Sequence, residues 1–175
     1  MDTIMDTLIL KETAITSRIL QVVVASFREE QINTIPFAGS WTAGQVGEHL
    51  LISATGVLET INGPVEPTER DPSENAGPIK KMFLDFTSKM SSPDFVLPSD
   101  APKNKETLLQ SLETTMNGIH AVAEKEDLSA TCVRFEFPGF GRLTRLEWIT
   151  FLLAHIQRHV HQLNIIAERL NGRIR

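Results

Sequence analysis

The first 31 residues carry apolar side chains at Ile4, Leu8, Ile15, Ile19, Val22 and Val23. These spacings of three, four and seven predict a long helix over residues 3–31 with that stripe turned to a core. The helix should stop before Pro36, because Asn33 and Thr34 favour turns and a residue preceding proline avoids helical backbone angles. Thr42-Ala43-Gly44-Gln45 reads as a capping box, in which the threonine hydroxyl takes an orphan backbone amide and the glutamine reaches back to the cap. The helix behind it puts Val46, Leu50, Val57, Leu58 and Ile61 toward the core and ends at Asn62-Gly63-Pro64.

Residues 63–78 hold four prolines and two glycines and read as a long surface connection, as does the stretch from Ser91 to Pro102. Between them Ile79, Met82, Phe83 and Phe86 predict a short helix packed across one end of the molecule. A third long helix starts near Lys103, carries Leu108, Leu109, Leu112, Met116, Ile119 and Val122, and runs out in the solvated charges from Glu124 to Asp127. Thr131 to Phe137 reads as extended, and Pro138-Gly139-Phe140-Gly141 as a turn. Thr144-Arg145-Leu146-Glu147 is a second capping box, opening a helix with Trp148, Leu152, Ile156, Leu163, Ile166 and Leu170 that closes at Asn171-Gly172. Four long helices with little strand predict an all-α bundle, and 175 residues fit one domain spanning 1–175.

Composition narrows the function classes. A net charge of -5 is the wrong sign for a surface that neutralises phosphates, so no nucleic-acid partner is expected. The single cysteine, Cys132, excludes an internal disulfide framework and fits a reducing, cytoplasmic setting; its simplest role is that of a small apolar side chain. Asp2 and Asp6 are the wrong charge for a secretory leader, and the apolar run Val22 to Ala25 is too short to span a bilayer, so no membrane association is expected.

Three of the five histidines fall between His155 and His161. At about 100° per residue His155 and His159 share one helix face, a turn apart, while His161 is swung to another side. Two imidazoles at i and i+4 can reach one metal ion, as in helical zinc motifs. His49, in the second helix between the apolar Val46 and Leu50, faces inward if Thr42 caps that helix, and offers a third ligand from a facing element. His120 is the remaining ligand candidate but reads more simply as surface, His161 reads as polar surface or a hydrogen bond to a loop, and Glu48 is a candidate acid or base near the metal that points about 100° away from its neighbour His49. Trp41 and Trp148 read as large core or boundary residues, each seeking one partner for its indole N–H. The loop from Phe135 to Phe140 is an alternative wall for a pocket mouth.

The run Trp41 to Leu50, the turn Pro138 to Gly141, the cap Thr144 to Trp148, and Ala154-His155 with His159 and Gln162 together resemble the DinB-like superfamily. The resemblance spans roughly residues 1 to 171, and His49, His155 and His159 fall on the family's three ligand positions. It implies an up-up-down-down four-helix bundle with long connections, often a homodimer, with nickel or zinc at the three histidines. Family members include metal-dependent hydrolases and transferases of low-molecular-weight thiols. The resemblance thus points to a metal-dependent enzyme with a small-molecule substrate and a possible thiol cofactor. The alternative is a non-catalytic module in which the metal only stabilises the bundle or a dimer.

Overall fold

The computed structural model describes residues 3–172. Met1 and Asp2, on which part of the reading of the N-terminus rests, lie outside the described residues, and nothing is described of the Asp6 side chain. The order is α1 (Thr3–Ala25), α2 (Ala43–Ile61), β1 (Val65–Glu66), α3 (Ala76–Leu84), a 3-10 turn (Asp94–Val96), α4 (Lys105–Lys125), β2 (Thr131–Cys132) and α5 (Arg145–Leu170). No helix among the described residues is long and apolar enough to cross a membrane.

Both expected capping boxes form. The Thr42 hydroxyl accepts from the Gln45 amide while Gln45 accepts from the Thr42 amide, and Thr144 and Glu147 do the same at the start of α5. Such caps contribute about 1 kcal/mol each and set where the two site-bearing helices begin. The Glu147 carboxylate is fully buried and does more than cap: it also accepts from both terminal nitrogens of Arg70 and from the Asn75 amide. It thereby ties the proline-rich connection to the first turn of α5.

The four long helices form a ring in which α1 and α2 each pack against both α4 and α5. The amide of Gly44 donates to Ile32 O at 2.7 Å and Lys105 Nζ to Phe27 O at 2.9 Å, so the end of α1 meets the starts of α2 and α4. At the other end Arg145 donates to Ile61 O and Asp127 O, joining the ends of α2 and α4 to the start of α5. The helices therefore run up, down, down, up, which corrects the up-up-down-down order; the all-α bundle stands. Because α2 and α4 are parallel, the chain between them must climb the length of the bundle. It does so through α3 and the 3-10 turn, and this crossover lies over the side where the histidines sit. A Cβ on Gly47 would come within 2.6 Å of Leu108, and one on Gly118 within 2.8 Å of Leu58, so bare backbone lets α2 and α4 pack closely.

Three expectations are corrected. α1 ends at Ala25, not 31, and its buried face is Ile9, Thr13, Thr16, Leu20 and Val24; Ile4, Leu8, Ile15, Ile19 and Val22 are exposed. Two heptad-spaced stripes coexist on this helix, and periodicity alone chose the more apolar one. α3 does not cross an end of the bundle but lies along α5, with Ile79 and Phe83 buried and Met82 and Phe86 exposed. Of the expected extended stretch only Thr131 and Cys132 form a strand, paired antiparallel to β1 with Val65 opposite Cys132. The Cys132 thiol is fully buried, and burial pushes it up to about 11, which suits the packing role read from the sequence.

Candidate metal centre

The capped start of α2 places His49 on the side of that helix facing α5, and the i, i+4 spacing places His155 and His159 opposite it. The three side chains converge: His155 Nε2 lies 3.1 Å from His49 Nε2 and 2.9 Å from His159 Nε2. One ligand atom from each of the three lies within 4.8 Å of the others. His49 and His155 are buried and His159 is half-buried.

The surroundings fix which nitrogen of each ring faces inward. His49 Nδ1 donates to the carbonyl of Val96 at 2.7 Å, and His159 Nδ1 donates to Gln162 Oε1 at 2.7 Å. Each bond holds the ring proton on Nδ1, which leaves an Nε2 lone pair aimed at the third histidine. His155 Nδ1 is buried with no partner. That ring is held instead by a near-parallel stack on Phe151, interplanar angle 13°, and by the edge of Phe83. One proton on His155 Nε2 can satisfy at most one of the two short contacts well, whereas a cation would satisfy three lone pairs at once. Nitrogens about 3 Å apart are also spaced as they are around one ion at ligand distances of about 2.0–2.1 Å. The residues fit a metal.

Electrostatics favour the ligand-competent state. Burial lowers all three imidazoles below the usual histidine range. The effect is strongest at His155, where the other two rings and Arg158 add to it, and it brings His159 down to about 4. At neutral pH the three rings are uncharged, as metal binding requires.

Of the other sequence candidates, Glu48 turns away to Lys103, 2.7 Å, and to the Ser99 amide, 2.6 Å. His161 is exposed and stacks on Phe86, and His120 is half-buried on α4. Trp41 lies 5.1 Å from the His49 ring, so it borders the site as well as the core. Trp148 packs among Phe137 and Phe151, but its indole nitrogen has no partner, contrary to expectation. Phe137, from the loop expected to wall a pocket mouth, joins this cluster, which reaches His155 through Phe151.

Sequence reading missed the Val96 carbonyl, Phe83, Phe151 and Arg158. Arg158 donates to the carbonyls of Phe83, Asp85 and Ser88 and so pins the crossover beside the site. Only Phe151 left a readable signal, since 151, 155 and 159 continue one helical stripe.

A helical bundle with three inward histidines from two facing helices defines a class of proteins able to hold one divalent ion in the core. Within it the chain belongs to the DinB superfamily, whose family model matches residues 13–163. A solved structure assigned to the DinB family, from Exiguobacterium sibiricum 255-15, shares the fold at a TM-score of 0.59 and 14% identity; the match covers 100% of this chain and 96% of that one. No curated protein matches the sequence.

Proposed function

We propose that this chain is a cytoplasmic metal-dependent enzyme acting on a small-molecule substrate, with a divalent transition metal, nickel or zinc, held by His49, His155 and His159. The observation that carries the reading is the convergence of three Nε2 atoms, two of them on rings whose Nδ1 is held outward by an acceptor. Three protein ligands, with no carboxylate or cysteine in the same group among the described residues, would leave a coordination position open, as in catalytic zinc sites.

When bound, such an ion supplies Lewis acidity that lowers the pKa of a coordinated water or small thiol, the chemistry of a hydrolase or a thiol transferase. The chain's own residues prepare for it. Val96 and Gln162 orient two ligands, Phe83 and Phe151 hold the third, and these rings with Trp41 exclude water from the sides of the site.

A second reading keeps the ion as a brace between α2 and α5. It draws on the tight packing of His49 and His155 and on two surface clefts, neither of which is lined by a histidine. The deciding experiment measures metal content of the purified protein, then conjugation with several cellular thiols and ester or amide hydrolysis, before and after chelation. Activity lost on chelation with the helical circular dichroism intact supports the enzyme. Collapse of the helical signal near room temperature would make the brace the better reading.

A further inference from the structure

Ser53 lies one turn beyond His49 on the same side of α2. Side chains at i and i+4 stand about 5–6 Å apart at Cβ, so the Ser53 hydroxyl borders the metal centre. α2 and α5 are antiparallel, because Arg145 at the start of α5 donates to Ile61 O at the end of α2. The turn after His49 therefore faces the turn before His155. That turn carries Phe151, a half-buried ring stacked on His155 with 5.4 Å between centroids. Another turn along α2, Gly56 is exposed, and a Cβ there would meet nothing within 4 Å. α2 and α3 both pack on α5 but have no extensive contact with each other. A trough thus leads away from the histidines over α5, with Phe151 as its floor, Phe83 along one wall, and Phe137 and Trp148 at its far end.

Ser53 is 8% exposed, yet its hydroxyl has no hydrogen-bond partner among the described residues. Hydroxyls inside helices commonly return to the carbonyl four residues back, and those of Thr13, Thr60, Thr114 and Thr150 do so at 2.7 to 2.9 Å. The Ser53 hydroxyl does not, and its oxygen is not sealed from solvent, whereas the indole nitrogen of Trp148 is both sealed and without a partner. Buried polar groups are nearly always paired, so two unpaired ones along one trough mark the place of a ligand.

We propose that Ser53 is a substrate-binding residue, an inference that rests on the metal-dependent reading above. Its hydroxyl bonds a neutral carbonyl or amide group of a molecule whose one end reaches the open metal position and whose apolar body lies on Phe151. Serine both donates and accepts, so it serves either half of an amide. A charged group fits poorly, because Ser53, Gly56, Phe83, Phe137, Trp148 and Phe151 offer it no counter-charge and burial of an unpaired charge is costly.

The test uses the full chain loaded with cobalt(II), with uptake checked by elemental analysis in wild type, Ser53→Ala and Thr55→Ala. Each is titrated with 3-mercaptopropionamide and with butane-1-thiol. The sulfur of either probe serves only as an anchor on the metal, and its charge-transfer band to cobalt reports binding. The probes are of similar length, but only the amide can meet a hydroxyl. Ser53→Ala should weaken binding of the amide about 10-fold and that of butane-1-thiol less than about 2-fold, with cobalt content and helical circular dichroism unchanged. Thr55→Ala, which removes an exposed hydroxyl from another side of α2, should change neither. An equal loss for both probes, or no loss for either, would overturn the proposal while leaving the metal reading intact. Cobalt uptake with no charge-transfer band from either probe would also overturn it, since no position would then be open beside Ser53. A wild type that takes up no cobalt would defeat the metal reading itself, and this inference with it.

Discussion

α1 and α5 are both long helices, of 23 and 26 residues, and both join the same bundle. They differ in how each distributes its apolar side chains. α5 turns Ile149, Leu152, Leu153, Ile156, Leu163 and Ile166 inward and adds His155 to that interior, so a polar ligand sits within an apolar wall. α1 turns a mixed stripe with two threonines inward and leaves its most aliphatic stripe outside. The contrast teaches that helical periodicity identifies a helix more securely than it identifies the buried side, because an exposed apolar stripe has the same spacing as a buried one.

The sharpest way to break the contrast is at the ligands. His155→Ala should abolish stoichiometric metal binding, read by elemental analysis, and His49→Ala should do the same, while His161→Ala and Ile15→Lys retain it. Equal metal in all four variants would remove the site from α5.

Acid should separate the helices next. The folded protein holds His155 and His159 below the usual histidine range, so below about pH 6.5 the unfolded chain binds more protons than the folded one. Stability of the metal-free protein should therefore be full above about pH 6.5 and fall toward pH 4, with each histidine adding up to about 1.4 kcal/mol per pH unit. Denaturant unfolding at several pH values checks this. In a His155→Ala/His159→Ala variant the slope should flatten, whereas substitutions on the outer face of α1 should leave it unchanged.

Within α1 the two stripes should respond differently to truncation. Leu20→Ala, in the core, should cost about 2–5 kcal/mol in urea unfolding. Ile15→Ala, at a position 58% exposed, should stay within about 0.5 kcal/mol. Similar losses at the two positions would mean that the outer stripe is part of the fold.

The smallest effect expected is at Gln162. Gln162→Leu removes the acceptor that orients His159 and should weaken metal affinity about 10- to 100-fold without changing stoichiometry at saturating metal. Competition with a chelator of known affinity measures it. An unchanged affinity would show that α5 alone sets the His159 ring.

The chain's sequence by itself determined the local elements: both capping boxes, the start of α5, the packing stripes of α2 and α4, and the pair His155 and His159, because caps and i, i+4 neighbours depend on short stretches of backbone. It also exposed His49 as a candidate through its place behind the Thr42 cap. Tertiary structure alone decided which stripe of α1 is buried, since that depends on the surfaces α4 and α5 present to it. It decided the direction of the helices, because the length of the crossover permits more than one path. It also decided the tautomer of His49, because the acceptor is the Val96 carbonyl, 47 residues away. A backbone carbonyl has no sequence signature, and only the parallel run of α2 and α4, which sends the crossover over the histidines, brings it there.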